Sequence, residues 1–152
     1  MPRQSKKQQT SAKLKLPDIS SGNWKGELVG GATVSFGQVV QKTSPPRSVE
    51  FSQIIASVSL VMPDGGFTWP GVLFIMAPTP MKRESADSGM LLKSSELPAL
   101  CLSLDVTRAQ FSDLLRSIEH KRFRRFRFAV GDARDSSWPV TSWGTEFELV
   151  AS

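Results

Sequence analysis

The residues best suited to chemistry lie between positions 121 and 127. There Lys-Arg-Phe-Arg-Arg-Phe-Arg sets five cations around two phenylalanines, with no acid. That composition suits anion recognition rather than bond making. In an extended segment, residues two apart share a face at a spacing of roughly 6–7 Å. Arg125 and Arg127 would then present neighbouring guanidiniums, with Arg124, Arg122 and Lys121 extending the cluster. A guanidinium grips phosphate through a planar fork of parallel N–H donors, a geometry that lysine lacks. The plainer arrangement is a solvated sheet face whose phenylalanines serve the core. In that case Glu146 and Glu148, on a neighbouring outward face, neutralise the arginines.

A second basic stretch opens the chain. Arg3, Lys6, Lys7, Lys13 and Lys15 occur without an acid in residues 1–15. Residues 1–16 carry too few apolar groups to offset their own ordering entropy. They are expected to form a flexible basic arm ahead of one globular domain spanning 17–152. Such an arm adds affinity for a polyanion by releasing counterions, or else serves as a solubilising tail. The two stretches hold ten of the 19 basic residues and none of the 14 acids, so the rest of a +5 chain carries −5. Charge gathered in this way creates a local field that attracts a polyanion.

Aromatic residues offer a second kind of contact. Trp138 and Trp143 lie close in sequence to the basic run, and indole faces stack on bases or anchor a protein partner. Trp24 and Trp69 sit beside loop residues and are expected to cap the ends of the fold.

Reactive side chains are scarce. One Cys, one His and no Tyr exclude an internal disulfide and a zinc site built from Cys and His. Cys101 stands in an alternating segment as a small core residue, and His120 ends a helix. Asp132 and Asp135 flank Arg134 beside Gly131 and Ser136, a setting for a turn rather than for a divalent cation. The glycines at 30, 31 and 37 lack the lysine of a phosphate loop. The expectation is therefore no catalytic residue, no metal and no cofactor.

The elements that must position these residues follow from periodicity. Glycines at 22, 26, 30, 31 and 37 punctuate two short strands, joined by a tight Gly30–Gly31 turn. Residues 43–48 form a loop around Pro45–Pro46. From Val49 to Met62, Ile54, Ala56, Val58, Leu60 and Met62 recur on one face. After a Pro-Asp-Gly-Gly turn, residues 71–77 are apolar on both faces, which predicts a central strand paired in a hairpin with the preceding one. Pro78 to Gly89 reads as a long loop, Met90–Lys93 as a short edge strand and Leu100–Val106 as a further strand. Thr107 and Gln110 form a capping box for a helix over 108–121, with Phe111, Leu114, Leu115 and Ile118 as its apolar stripe. Residues 125–131 are a strand with Phe126, Phe128 and Val130 on the face opposite the arginines. The tryptophan pair lies on a hairpin tip or on the approach to the last strand, and 145–150 closes the fold with Phe147 and Leu149 inward.

This pattern predicts an α+β fold: a twisted, mostly antiparallel β-sheet or partly open β-barrel of about seven or eight strands, with one amphipathic helix packed on it. No secretory leader or membrane-spanning segment is evident, and a cytoplasmic location is expected. The function expected is a small non-enzymatic binding protein. Its basic strand and arm would contact the backbone of a nucleic acid, with no helix offered for base reading. The alternative is a protein–protein interaction module, an assembly subunit or inhibitor of phage or virion type. That module would present the basic patch and the tryptophans to an acidic partner.

Overall fold

Alternating burial organises the chain. The computed structural model describes residues 16–77, 87–94 and 98–147. Seven strands and one helix succeed one another: β1 (Gly22–Gln41), β2 (Arg47–Val61), β3 (Thr68–Met76), β4 (Gly89–Lys93), β5 (Leu100–Asp105), α1 (Arg108–Glu119), β6 (Arg125–Val130) and β7 (Ser137–Thr145). The strands pair in the order β1-β2-β3-β5-β4-β7-β6, and β6 returns to β1, so the sheet closes on itself. All neighbours are antiparallel except β3 and β5. This is the twisted, mostly antiparallel sheet with one helix that the pattern predicts, with its two ends joined. Closure gives β4 a partner on each side, β5 and β7, so it is not the edge strand its short length suggested.

One row of side chains from each strand fills the interior. Ile54, Ala56, Val58 and Leu60 of β2 are buried, as are Trp69, Leu73 and Ile75 of β3 and Leu100, Leu102 and Leu104 of β5. β1 adds Trp24, and β6 adds Phe126, Phe128 and Val130. Trp24 stacks on Phe128, and Phe126 lies stacked between Phe123 and Phe128. Each fully buried side chain of this size contributes about 1.5–3 kcal/mol. Trp24 and Trp69 are fully buried, and the Trp24 indole N–H donates to the Ser20 carbonyl at 2.9 Å. The expected cover on both faces of β3 holds for one face only, since Val72, Phe74 and Met76 on the other are half-buried.

The helix forms where its cap predicts. Thr107 Oγ1 accepts from the Gln110 N–H, and Gln110 Oε1 accepts from the Thr107 N–H. Phe111 and Leu114 enter the core, with Leu115 and Ile118 packed at its margin.

Three further expectations change. Gly30 and Gly31 do not make a turn: β1 runs through them, and its register against β2 shifts between Leu28 and Ala32. Glycine inside a strand commonly marks such an irregularity, because it tolerates the local bend. The actual reversal lies at residues 42–46, between β1 and β2. Secondly, residues 138–144 are not a hairpin tip. They belong to β7, which pairs with β4 up to Pro139 and with β6 from Val140. Pro139 occupies the point of this exchange, where a missing N–H is tolerated. The true tip is Asp135–Ser136. Both residues have positive φ, and Arg134 and Ser137 exchange backbone hydrogen bonds across them. That is the backbone twist a two-residue hairpin loop requires. Finally, the closing strand ends at Thr145, and Phe147 is exposed rather than inward. The later part of that strand, and most of the Pro78–Gly89 loop, lie outside the described residues.

Candidate polyanion-binding face

The basic run is delivered by the end of α1. The Arg122 N–H donates to the Ser117 carbonyl, and the Lys121 N–H donates to that of Ile118. This pair of bonds is the Schellman closure, which needs a left-handed residue between helix and exit. Lys121 takes that place with φ of 57°. Glycine is the usual occupant, because a Cβ is disfavoured there. The chain then turns sharply, buries Phe123 and enters β6 with alternation intact: Phe126 and Phe128 inward, Arg125 and Arg127 exposed.

Pairing with β1 widens the face. Lys25 lies opposite Arg127, and Glu27 opposite Arg125. Like charges directly across a strand pair oppose each other and lower stability, so the Lys25–Arg127 pair does not help hold the sheet together. The outward residues of β2, β1, β6 and β7 line an open groove of about 1070 Å³, with Lys25, Arg125 and Arg127 as its cations and Glu27 and Glu146 as its acids. Arg127 reaches Glu146 at 3.4 Å, with both side chains largely exposed. An exposed pair of this kind contributes little to stability. It does occupy one of the two expected guanidiniums, as in the plainer arrangement. Among the described residues, Arg125, Arg124 and Lys25 form no ion pair.

At the groove's end the Arg122 guanidinium sits 5.5 Å from the centre of the exposed Phe147 ring. No local pattern signals this cation–aromatic plate, because its halves lie on opposite sides of β6 and β7 in the chain. Trp138 and Trp143, in contrast, are half-buried and packed against the core. Trp143 lies opposite Phe128 in β7, on the inward row. The stacking aromatic available at this groove is therefore Phe147. Lys6, Lys7, Lys13 and Lys15 lie outside the described residues, as does Glu148. Among the described residues no group of His, Cys, Asp and Glu forms a metal-binding cluster, and no helix is long and apolar enough to cross a membrane.

No protein family matches the chain, and no curated protein or solved structure is similar to it.

Proposed function

We propose that this is a non-enzymatic binding protein whose β1–β6 face engages the backbone of a nucleic acid, in keeping with a cytoplasmic location. The observation that carries the reading is the placement of Lys25, Arg125 and Arg127 on one outward face, next to the Arg122–Phe147 plate. Arg125 and Arg127 supply forked donors to phosphate oxygens. Lys25 adds charge beside Arg127, and Lys121, Arg122 and Arg124 extend the field. Phe147 offers a ring face to a base, a contact that tolerates any sequence. Lys6, Lys7, Lys13 and Lys15 add counterion-release affinity from the same chain.

A second reading, an acidic protein partner, draws on one observation: Glu27 and Glu146 interleave with the cations of the groove. Mixed signs favour a protein surface over a uniform polyanion.

Fluorescence anisotropy of a labelled oligonucleotide against salt separates the two. Binding to nucleic acid predicts a linear fall of log affinity with log salt. Replacing both Arg125→Ala and Arg127→Ala should reduce that slope by about one for each phosphate no longer neutralised. Failure of single-stranded and duplex DNA and RNA to bind at low salt removes the nucleic-acid reading. An unchanged slope in the double variant removes the assigned face.

A further inference from the structure

The molecule has one large feature that the basic face does not use. β1 and β2 extend beyond the closed sheet as a two-stranded arm. β1 pairs with β6 only from Gly22 to Glu27, with one more backbone bond at Leu28. β2 pairs with β3 only from Gln53, with one more bond at Ser52. β1 is open on its outer side from Val29 onward, while β2 stays paired with β3 from Ala56 to Gln53; from Phe36↔Ser52 to Gln41↔Arg47 the two strands hold only each other. An isolated two-stranded ribbon is marginal in water.

The arm is also apolar where it should be wet. Phe36 is 79% exposed, Val40 64% and Val39 53%, and Val29, Val34 and Phe51 are exposed as well. Val34, Phe36 and Val40 alternate onto one face of the arm, and Val39 and Phe51 onto the other, so both faces beside the open edge are apolar. Only three of the 24 residues from Val29 to Ser52 are charged, Lys42, Arg47 and Glu50. That composition fits neither a polyanion nor an acidic partner.

The two edges of the arm differ. The β2 side is protected: Pro45 and Pro46 precede it, Arg47 and Glu50 lie on it, and Glu50 is ion-paired to Arg108 at the start of α1. Proline and charge are the usual means of blocking edge-to-edge pairing. The β1 side has neither, since Val29 to Gln41 contains no charged residue and no proline. Among the described residues nothing pairs with it beyond Leu28.

We infer that the β1 edge of the arm pairs antiparallel with the same edge of a second copy of this chain, giving a two-fold dimer through a four-stranded ribbon. Two-fold pairing places an unprotected edge on an unprotected edge and leaves the two protected β2 edges outermost. The assembly therefore closes at two copies instead of growing. Pairing about Gly37 sets Val34 opposite the second copy's Val40 and keeps Ala32, Val34, Phe36 and Val40 on one shared apolar face. The inference is independent of the basic groove.

Sedimentation equilibrium of the full chain tests it. The wild type should be a dimer at tens of micromolar. The double variant Phe36→Lys/Val40→Lys should weaken dimerisation by about a hundredfold or more, because each substitution enters the dimer twice. Both positions are exposed, and circular dichroism should show an unchanged fold. Ser48→Lys, on the protected side, should stay dimeric. Amides of residues 33–41 in the wild type should gain hydrogen-exchange protection with concentration, a readout that needs no variant. A wild type that stays monomeric at these concentrations overturns the inference. So does a Phe36→Lys/Val40→Lys protein that remains dimeric, or dissociation caused by Ser48→Lys instead.

Discussion

The two halves of β1 make the most instructive contrast in the molecule. From Gly22 to Leu28 the strand is held by β6 and, from Lys25 onward, by β2 on its other side as well, and it buries Trp24 completely. From Ala32 to Gln41 it is held on one side only, and Phe36, Val39 and Val40 stay exposed. The exposed half has the larger number of apolar residues. Apolar content in a strand therefore sets the capacity for burial, while the number of neighbours sets the burial itself. The first half contributes to the fold, and the second offers its surface to a partner.

Substitution in the two halves should separate those roles most sharply. Trp24→Ala should destabilise the monomer by about 3–5 kcal/mol in urea denaturation, since a large fully buried ring is removed. Phe36→Ala should change monomer stability by no more than about 0.5 kcal/mol. Equal losses at the two positions would break the contrast. Gly26 provides a second probe of the buried half. A Cβ there would lie 2.2–2.6 Å from atoms of the Phe126 ring, which is itself held between Phe123 and Phe128. Gly26→Ala should cost on the order of 1–3 kcal/mol or more by overpacking, measured by the same denaturation. The same change at Gly31, where a Cβ meets nothing within 4 Å, should be far milder.

A smaller effect is expected where the helix hands the chain to the basic face. Lys121 accepts a left-handed backbone with a side chain that gains nothing from it. Lys121→Gly should raise the thermal midpoint, by an equivalent of about 0.5–1 kcal/mol. If the cation serves binding, the same variant should also lower oligonucleotide affinity. Gain of stability with unchanged affinity would restrict the face to β6 and β1.

The smallest effect concerns a carboxyl in β5. Burial, and secondarily the charge of Asp87, hold the Asp105 carboxyl above its ordinary range. The folded state thus binds this proton more tightly than the unfolded chain does. Its contribution to stability is complete below the ordinary aspartate value near 3.9 and is lost as pH rises through the raised value. Asp105→Asn should therefore be more stable than the wild type at neutral pH, and the difference should shrink as pH falls toward about 4. Paired denaturation curves across that range check both the sign and the window.

Much of this architecture is legible in the sequence, and its reasons are local. Period two in β2 and β5, the Thr107–Gln110 capping box with its apolar stripe, and the alternation of Arg125 and Arg127 with Phe126 and Phe128 all follow from the backbone geometry of single elements. The charge division between basic stretches and an acidic remainder is likewise a property of the chain alone. The features that differ from expectation all depend on partners. Gly30 and Gly31 carry a turn signal, yet β2 lies alongside both sides of them and turns the signal into a register shift within one strand. Pro139 and Gly144 suggest a loop around the tryptophans, but β4 and β6 supply two successive partners that keep the segment extended and draw Trp143 inward. Lys25 and Phe147 join the basic face only because closure of the ring and the exit from β7 bring residues 25, 122 and 147 together. The sequence by itself determined which residues alternate, where the helix begins and where the charge is concentrated, because each rests on interactions a few residues long. The tertiary structure alone decided which apolar strand would be covered and which cations would share a face. Those outcomes depend on which distant strands hydrogen-bond side by side, and no local period encodes that choice.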